Sequence, residues 1–127
     1  MKNKEYFSSY LTGIFEASGC IYIPKNRYPH IYISFHKNNL ALAEAIKDRI
    51  GFGKIYEKSK NLSYEIFNKE GIHKFIELTK DYYRTPKINE FNSMLEYLNA
   101  NKKCEYSIVK LDESGYETNA WLSRFLE

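Results

Sequence analysis

The sequence predicts an α+β fold: one antiparallel sheet with helices packed on one face, in the order αββαββαα. Two observations predict it. Segments with an apolar period of two come as two hairpins, and each hairpin is followed by a segment of helical period. Strands and helices do not alternate singly, so the βαβ crossover pattern of a parallel sheet is absent.

Phe7, Tyr10, Leu11, Ile14 and Phe15 recur at helical spacing and predict a first amphipathic helix over residues 5–17, stopped by Gly19. Residues 20–25 and 30–37 then alternate as two strands around a turn at Asn26–Pro29. In the second, Ile31, Ile33 and Phe35 form the apolar row, with His30, Tyr32, Ser34 and His36 opposite. Asn39 is the expected cap of a helix carrying Leu42, Ile46 and Ile50 and closed by Gly51. A second hairpin follows, turning at Ser59–Asn61. Ile72, Phe75 and Ile76 mark a third helix. Thr85 before Pro86 reads as an N-cap with proline at the first helical position, and this last helix buries Ile88, Phe91, Leu95 and Leu98.

The organisation expected is a domain over 1–100, a polar linker over 101–118, and the start of a further helix over 119–127. The chain of 127 residues has room for one core. Its 19 Lys and Arg against 16 Asp and Glu favour an anionic partner, without the excess of a histone-like protein. The segment from Ala100 onward holds four cations and five anions, so the body is the more basic part. Two cysteines, Cys20 and Cys104, make neither a disulfide framework nor a zinc site and suit a reducing, intracellular compartment; Cys20 reads as a small buried filler. No stretch is long and apolar enough to span a bilayer, so no membrane partner is expected, and the N-terminus has no apolar signal core. The bias toward Tyr, Lys, Asn and Ile suits an AT-rich genome such as a mitochondrial or other organellar one.

Two stretches resemble each other: Leu11-Thr-Gly-Ile-Phe-Glu16 and Leu122-Ser-Arg-Phe-Leu-Glu127. The first, continued as Ala17-Ser18-Gly19, resembles the nine-residue LAGLIDADG signature and runs into a strand, as that homing-endonuclease family requires. Ile33-Ser-Phe-His-Lys-Asn38, Gly51-Phe-Gly-Lys-Ile-Tyr56, Arg84-Thr-Pro-Lys-Ile88 and Asn119-Ala-Trp-Leu-Ser are similar to segments of intron-encoded, fungal-mitochondrial members. The resemblance covers nearly the whole chain, in order.

That resemblance implies a saddle-shaped sheet reading nucleic acid in the major groove. It also implies paired signature helices in close contact through small residues, here Gly13 and Ala17. Each helix would end on an acid at the eighth signature position, and two such acids would bind Mg²⁺ beside the scissile phosphates. Here the eighth position is Ser18, a poorer ligand without charge. Glu16, at the sixth, is acidic but belongs to the helix end in this family. The second stretch ends at its sixth residue, Glu127, and Arg124 replaces its small glycine. Arg84 or Lys87 matches the basic position near the scissile phosphate. No catalytic residue or metal ligand is assigned on this basis, and no cofactor is expected beyond Mg²⁺ if the chain is active.

Alternation also puts Tyr22, Pro24 and Asn26 on one side of the first strand, level with His30, Tyr32, Ser34 and His36. Lys54, Tyr56 and Lys58 face the same way in the third strand. Such a face suits contact with base edges and phosphates, and its aromatics would also stack on unpaired RNA bases. The plainer account is a solvated surface, with His30, His36 and His73 serving as hydrogen-bonding residues rather than metal ligands. The expectation is a nucleic-acid-binding protein, on DNA or RNA, with cleavage lost or impaired. An active dimeric Mg²⁺-dependent DNA endonuclease and an RNA-binding maturase or ribonucleoprotein component are the alternatives. The signature helix is the expected contact with a second copy or a ribonucleoprotein partner.

Overall fold

Alternation in the second strand decides which way the sheet faces. Ile31, Ile33 and Phe35 are buried, while Ser34 and His36 between and beside them are exposed. A computed structural model of the chain, describing residues 2–113, contains the elements in the order expected. They are α1 (Lys2–Ser18), β1 (Gly19–Tyr22), β2 (His30–His36), α2 (Leu40–Ile50), β3 (Lys54–Glu57), β4 (Asn61–Ile66), α3 (Lys69–Thr79) and α4 (Lys87–Asn101). The four strands form one antiparallel sheet ordered β1-β2-β4-β3, which sets two hairpins side by side. The second signature-like stretch, Arg124 and Glu127 included, lies outside the described residues.

The inward row of the sheet is Ile31, Ile33, Phe35, Leu62, Tyr64 and Ile66. It meets Phe7, Leu11, Ile14 and Phe15 of α1, Ile46 and Ile50 of α2, and Ile72, Phe75 and Ile76 of α3 in one core, continued by Phe91, Leu95 and Leu98 of α4. Among the described residues, helices thus cover one face and leave the other bare. Tyr83 was not legible as core, yet it is fully buried, packs edge-on against Phe15 and donates its hydroxyl to Thr79 Oγ1 at 3.0 Å.

Several local expectations need correction; Lys58, expected on the third strand, lies beyond it, because β3 ends at Glu57. The first strand stops at Tyr22: Pro24 has no N–H for the ladder and is buried, and Asn26 sits in the turn with φ 66°. Tyr97 of α4 holds that turn, donating to the carbonyls of Pro24 and Arg27. Asn39 makes no side-chain cap on α2; a 3₁₀ turn over Lys37–Asn39 intervenes, and His36 Nδ1 accepts from Asn38 N–H at 3.1 Å to start it. Cys20 is exposed rather than filling the core. Gly51 does close α2 in the left-handed conformation. Thr85 Oγ1 accepts the Lys87 N–H at the start of α4, but Pro86 rather than Thr85 holds the cap position, so the proline stands just before the helix instead of at its first residue.

Residues 102–113 form no helix or strand but are tied to the helices. Asn99 and Asn92 each hold the segment with a side-chain amide, Asn99 on both backbone groups of Tyr106 and Asn92 on both of Val109. His73 of α3 bonds Tyr106 through Nδ1 and Tyr28 through Nε2, joining this segment to the first turn. Burial, then the Lys69 charge, lowers the His73 pKa against a smaller opposing effect of Glu70. A depressed folded pKa means the unfolded chain binds more protons. The contribution is therefore present above the unfolded value, near 6.5 for histidine, and lost as pH falls through the folded one. Acidifying from pH 7.5 toward the folded pKa should lower Tm more in the wild type than in His73→Gln; equal losses would remove His73 as the cause.

Candidate nucleic-acid interface

The bare face is assembled by register. Paired Cα positions bring Cys20, Tyr32, Glu65 and Lys54 into one row across all four strands. Ser34, Ser63 and Tyr56 form the next row, and Tyr22 and His30 pair on the other side. His36 is opposite Asn61, and the Asn61 carbonyl accepts the Lys58 N–H at 2.8 Å where the hairpin turns. Tyr22 and Tyr56 are 56% and 40% exposed, enough to offer ring faces as well as hydroxyls. His30 is in edge contact with both Tyr22 and Tyr32, and its Nδ1 lies 3.3 Å from the Tyr32 hydroxyl. Burial and then the Glu65 carboxylate raise the Tyr32 phenol above its ordinary pKa, keeping it a neutral donor.

At the rim of this face α1 ends. Its last turn has no basic residue of its own, although a helix C-terminus favours positive charge. Lys87 supplies it from α4, with Nζ 2.7 Å from the Gly19 carbonyl and 3.3 Å from Glu90 Oε1. Glu90 Oε2 in turn accepts the Ile21 N–H, fixing the first residues of β1. Cys20, close by, has its thiol pKa raised by burial and then by Glu90, with Lys87 opposing. Arg84 goes elsewhere: its guanidinium pairs with Asp112 at 3.1 Å, with side chains only 5% and 14% exposed. Sequence alone left Arg84 and Lys87 equivalent. Their environments separate them.

Glu16 also turns away from the face. It is 6% exposed, and its carboxylate accepts from Arg84 N at 2.9 Å, Thr85 N at 2.8 Å and the Thr85 hydroxyl. Gly13 is buried, whereas Ala17 and Ser18 are exposed. The two small residues are therefore not equally covered in the chain.

A sequence model of the family described as LAGLIDADG endonuclease matches residues 11–98, more than half of the chain. The chain belongs to this family. Among its relatives, the intron-encoded DNA endonuclease aI3 of Saccharomyces cerevisiae is 29% identical over 152 residues, covering 97% of this chain and 37% of the relative. The intron-encoded RNA maturase bI4 of the same yeast is 27% identical, covering 95% of this chain and 18% of the relative. The chain thus spans well under half the length of these curated relatives. Among solved structures, the homing endonuclease I-TnaI superposes with a TM-score of 0.68 at 18% identity, covering 76% of this chain and 74% of that one. That likeness shows the LAGLIDADG fold.

The divalent metal such endonucleases use does not fit the donors of this signature helix. Ser18 offers a hydroxyl, the Gly19 carbonyl faces an ammonium, the Glu16 carboxylate is engaged by three donors, and Glu90 holds a backbone amide and Lys87. No group of three or more His, Cys, Asp or Glu fit to hold a metal occurs among the described residues.

Sequence reasoning missed Glu65, Ser63 and Cys20 on the face, and Glu90 at its rim. The first two were within reach. Leu62, Tyr64 and Ile66 alternate as the buried row of β4, so Ser63 and Glu65 must face the other way. Glu90 stands three residues after Lys87 on a helix, but its contact with β1 lies far off in sequence.

Proposed function

We propose that the chain binds nucleic acid through the bare face of its sheet, and that its own signature helix does not supply the metal-holding acid for strand cleavage. The observation that carries this is the face itself. Tyr22, His30, Tyr32, Ser34, His36, Lys54 and Tyr56 stand together by strand register on the side that no helix among the described residues covers. Lys58 adds a cation at the hairpin tip, and Lys87 another at the end of α1. Asn26 belongs to the adjoining turn and contacts a partner, if at all, from the edge. Cations and backbone-directed donors position a nucleic acid; hydroxyls and imidazoles on a sheet read its edges. One such face grips one side of a duplex, so a second copy of the chain or another domain of the same fold completes the saddle. An organellar setting belongs to the same proposal, in keeping with intron-encoded relatives.

Binding by counterion release sets the test. Each neutralised phosphate contributes about 0.9 to the slope of log K against log salt on duplex DNA. Lys54→Ala combined with Lys58→Ala is expected to weaken binding in fluorescence anisotropy and reduce that slope by about 1–2. With Mg²⁺ present the wild-type chain leaves the duplex intact on a gel. An unchanged slope would remove the sheet face as the binding surface, and cut product would overturn the reading of Ser18. Preference for structured RNA, which the exposed rings of Tyr22 and Tyr56 would serve by stacking, would favour a maturase-like role.

A further inference from the structure

One residue on the bare face has the wrong charge for a surface that only meets phosphate. Glu65 lies on β4, an interior strand, with Tyr32 of β2 opposite on one side and Lys54 of β3 opposite on the other. Neutralising Lys54 would be the simple explanation, but the two ion pairs among the described residues are Arg84–Asp112 and Lys87–Glu90. Glu65 instead takes the Ser63 hydroxyl on Oε2 at 2.9 Å, and Oε1 has no hydrogen-bond partner among the described residues. The carboxylate is thus oriented by its own strand, while the ammonium beside it stays exposed. Directly opposite side chains on one face have Cβ atoms roughly 5 Å apart. An acceptor on the interior strand β4 and a donor at the start of the edge strand β3 therefore stand side by side on the same face.

A carboxylate repels phosphate and accepts from an amino group. In the major groove a C·G pair presents the cytosine N4 amino donor next to the guanine O6 and N7 acceptors. We propose that Glu65 and Lys54 together read a C·G base pair in the major groove of duplex DNA, Glu65 accepting from cytosine N4 and Lys54 donating to guanine. The inference rests on the nucleic-acid-binding function proposed above. Duplex DNA is the partner because the A-form major groove of RNA is too narrow to admit these side chains. Tyr32, neutral and adjacent, borders the same site and donates or accepts at the neighbouring step.

The experiment is selection of bound duplexes from a pool randomised across the contacted length, at low salt, with wild type, Glu65→Gln and Lys54→Ala in parallel. Wild type should enrich a C·G pair at one position by on the order of tenfold over other pairs. Glu65→Gln should shift that position toward adenine, which glutamine recognises through N6 and N7. Lys54→Ala should weaken the preference at the same position and serves as the second variant if Glu65→Gln does not fold. Enrichment identical in wild type and the folded variants overturns the reader while leaving the binding function intact. Retention of no duplex at low salt overturns both, and competition of all duplexes by structured RNA overturns the duplex assignment.

Discussion

Glu16→Ala is expected to lower stability by about 2–5 kcal/mol, read as a fall in the urea midpoint at constant m-value. The carboxylate reaches from the end of α1 to the α3–α4 loop, where it receives Arg84 N, Thr85 N and the Thr85 hydroxyl in a site that is 6% exposed. Truncation leaves two backbone donors without their acceptor, and each buried unsatisfied group costs about 1–3 kcal/mol. Thr85 Oγ1 also accepts the Lys87 N–H and Arg84 pairs with Asp112, so the loop it anchors fixes both the last helix and the segment following it. Glu16→Gln should recover part of the loss, because its amide keeps one oxygen but turns an NH₂ toward donors. A metal ligand would behave in the opposite way. A variant with an unchanged urea midpoint but altered Mg²⁺ binding would return Glu16 to the chemistry.

How much could be read in advance follows from what periodicity encodes. Burial of one face sets apolar period, so α1 through α4 and both hairpins were legible, as was the side on which His30, Tyr32, Ser34 and His36 fall. Period says nothing about which chain neighbours lie beside each other across the sheet. The β2–β4 pairing that brings Glu65 against Tyr32 arises between segments separated by a helix and a strand. Nor does it say where alternation stops: Tyr22 and Pro24 obey the same spacing, yet one is exposed on the face and the other buried in a turn held by Tyr97. Charge type was equally silent on Arg84 and Lys87. Two cations three residues apart take different roles because one meets Asp112 inside and the other meets the end of α1. The signature itself was legible as a pattern; that its Glu16 accepts from the Arg84–Thr85 loop needed the contact with that distant segment.

The last signature residue, Gly19, should tolerate even a methyl group badly. A Cβ built there would sit 2.8 Å from the Phe15 carbonyl oxygen and 2.7 Å from Phe15 Cε1, with Cδ1 closer still. Phe15 has no room to yield, since it is fully buried between Phe75, at 5.1 Å between ring centroids, and Tyr83, at 6.2 Å. Overpacking of this kind costs about 1–3 kcal/mol when side chains alone must move. Here a backbone oxygen also blocks the way, so Gly19→Ala should reach the upper end of that range. The displacement would reach the interface too. Gly19 pairs with Ile33 at the start of the sheet, and its carbonyl receives Lys87 Nζ. Moving it pulls the first strand off β2 and parts the cation from the helix end. The variant should therefore lose urea stability and also bind nucleic acid less tightly under conditions where it remains folded. Full stability in Gly19→Ala would show that helix and strand can separate at this point. The glycine would then have to be explained by contact with a partner rather than by the approach of α1 to its own sheet.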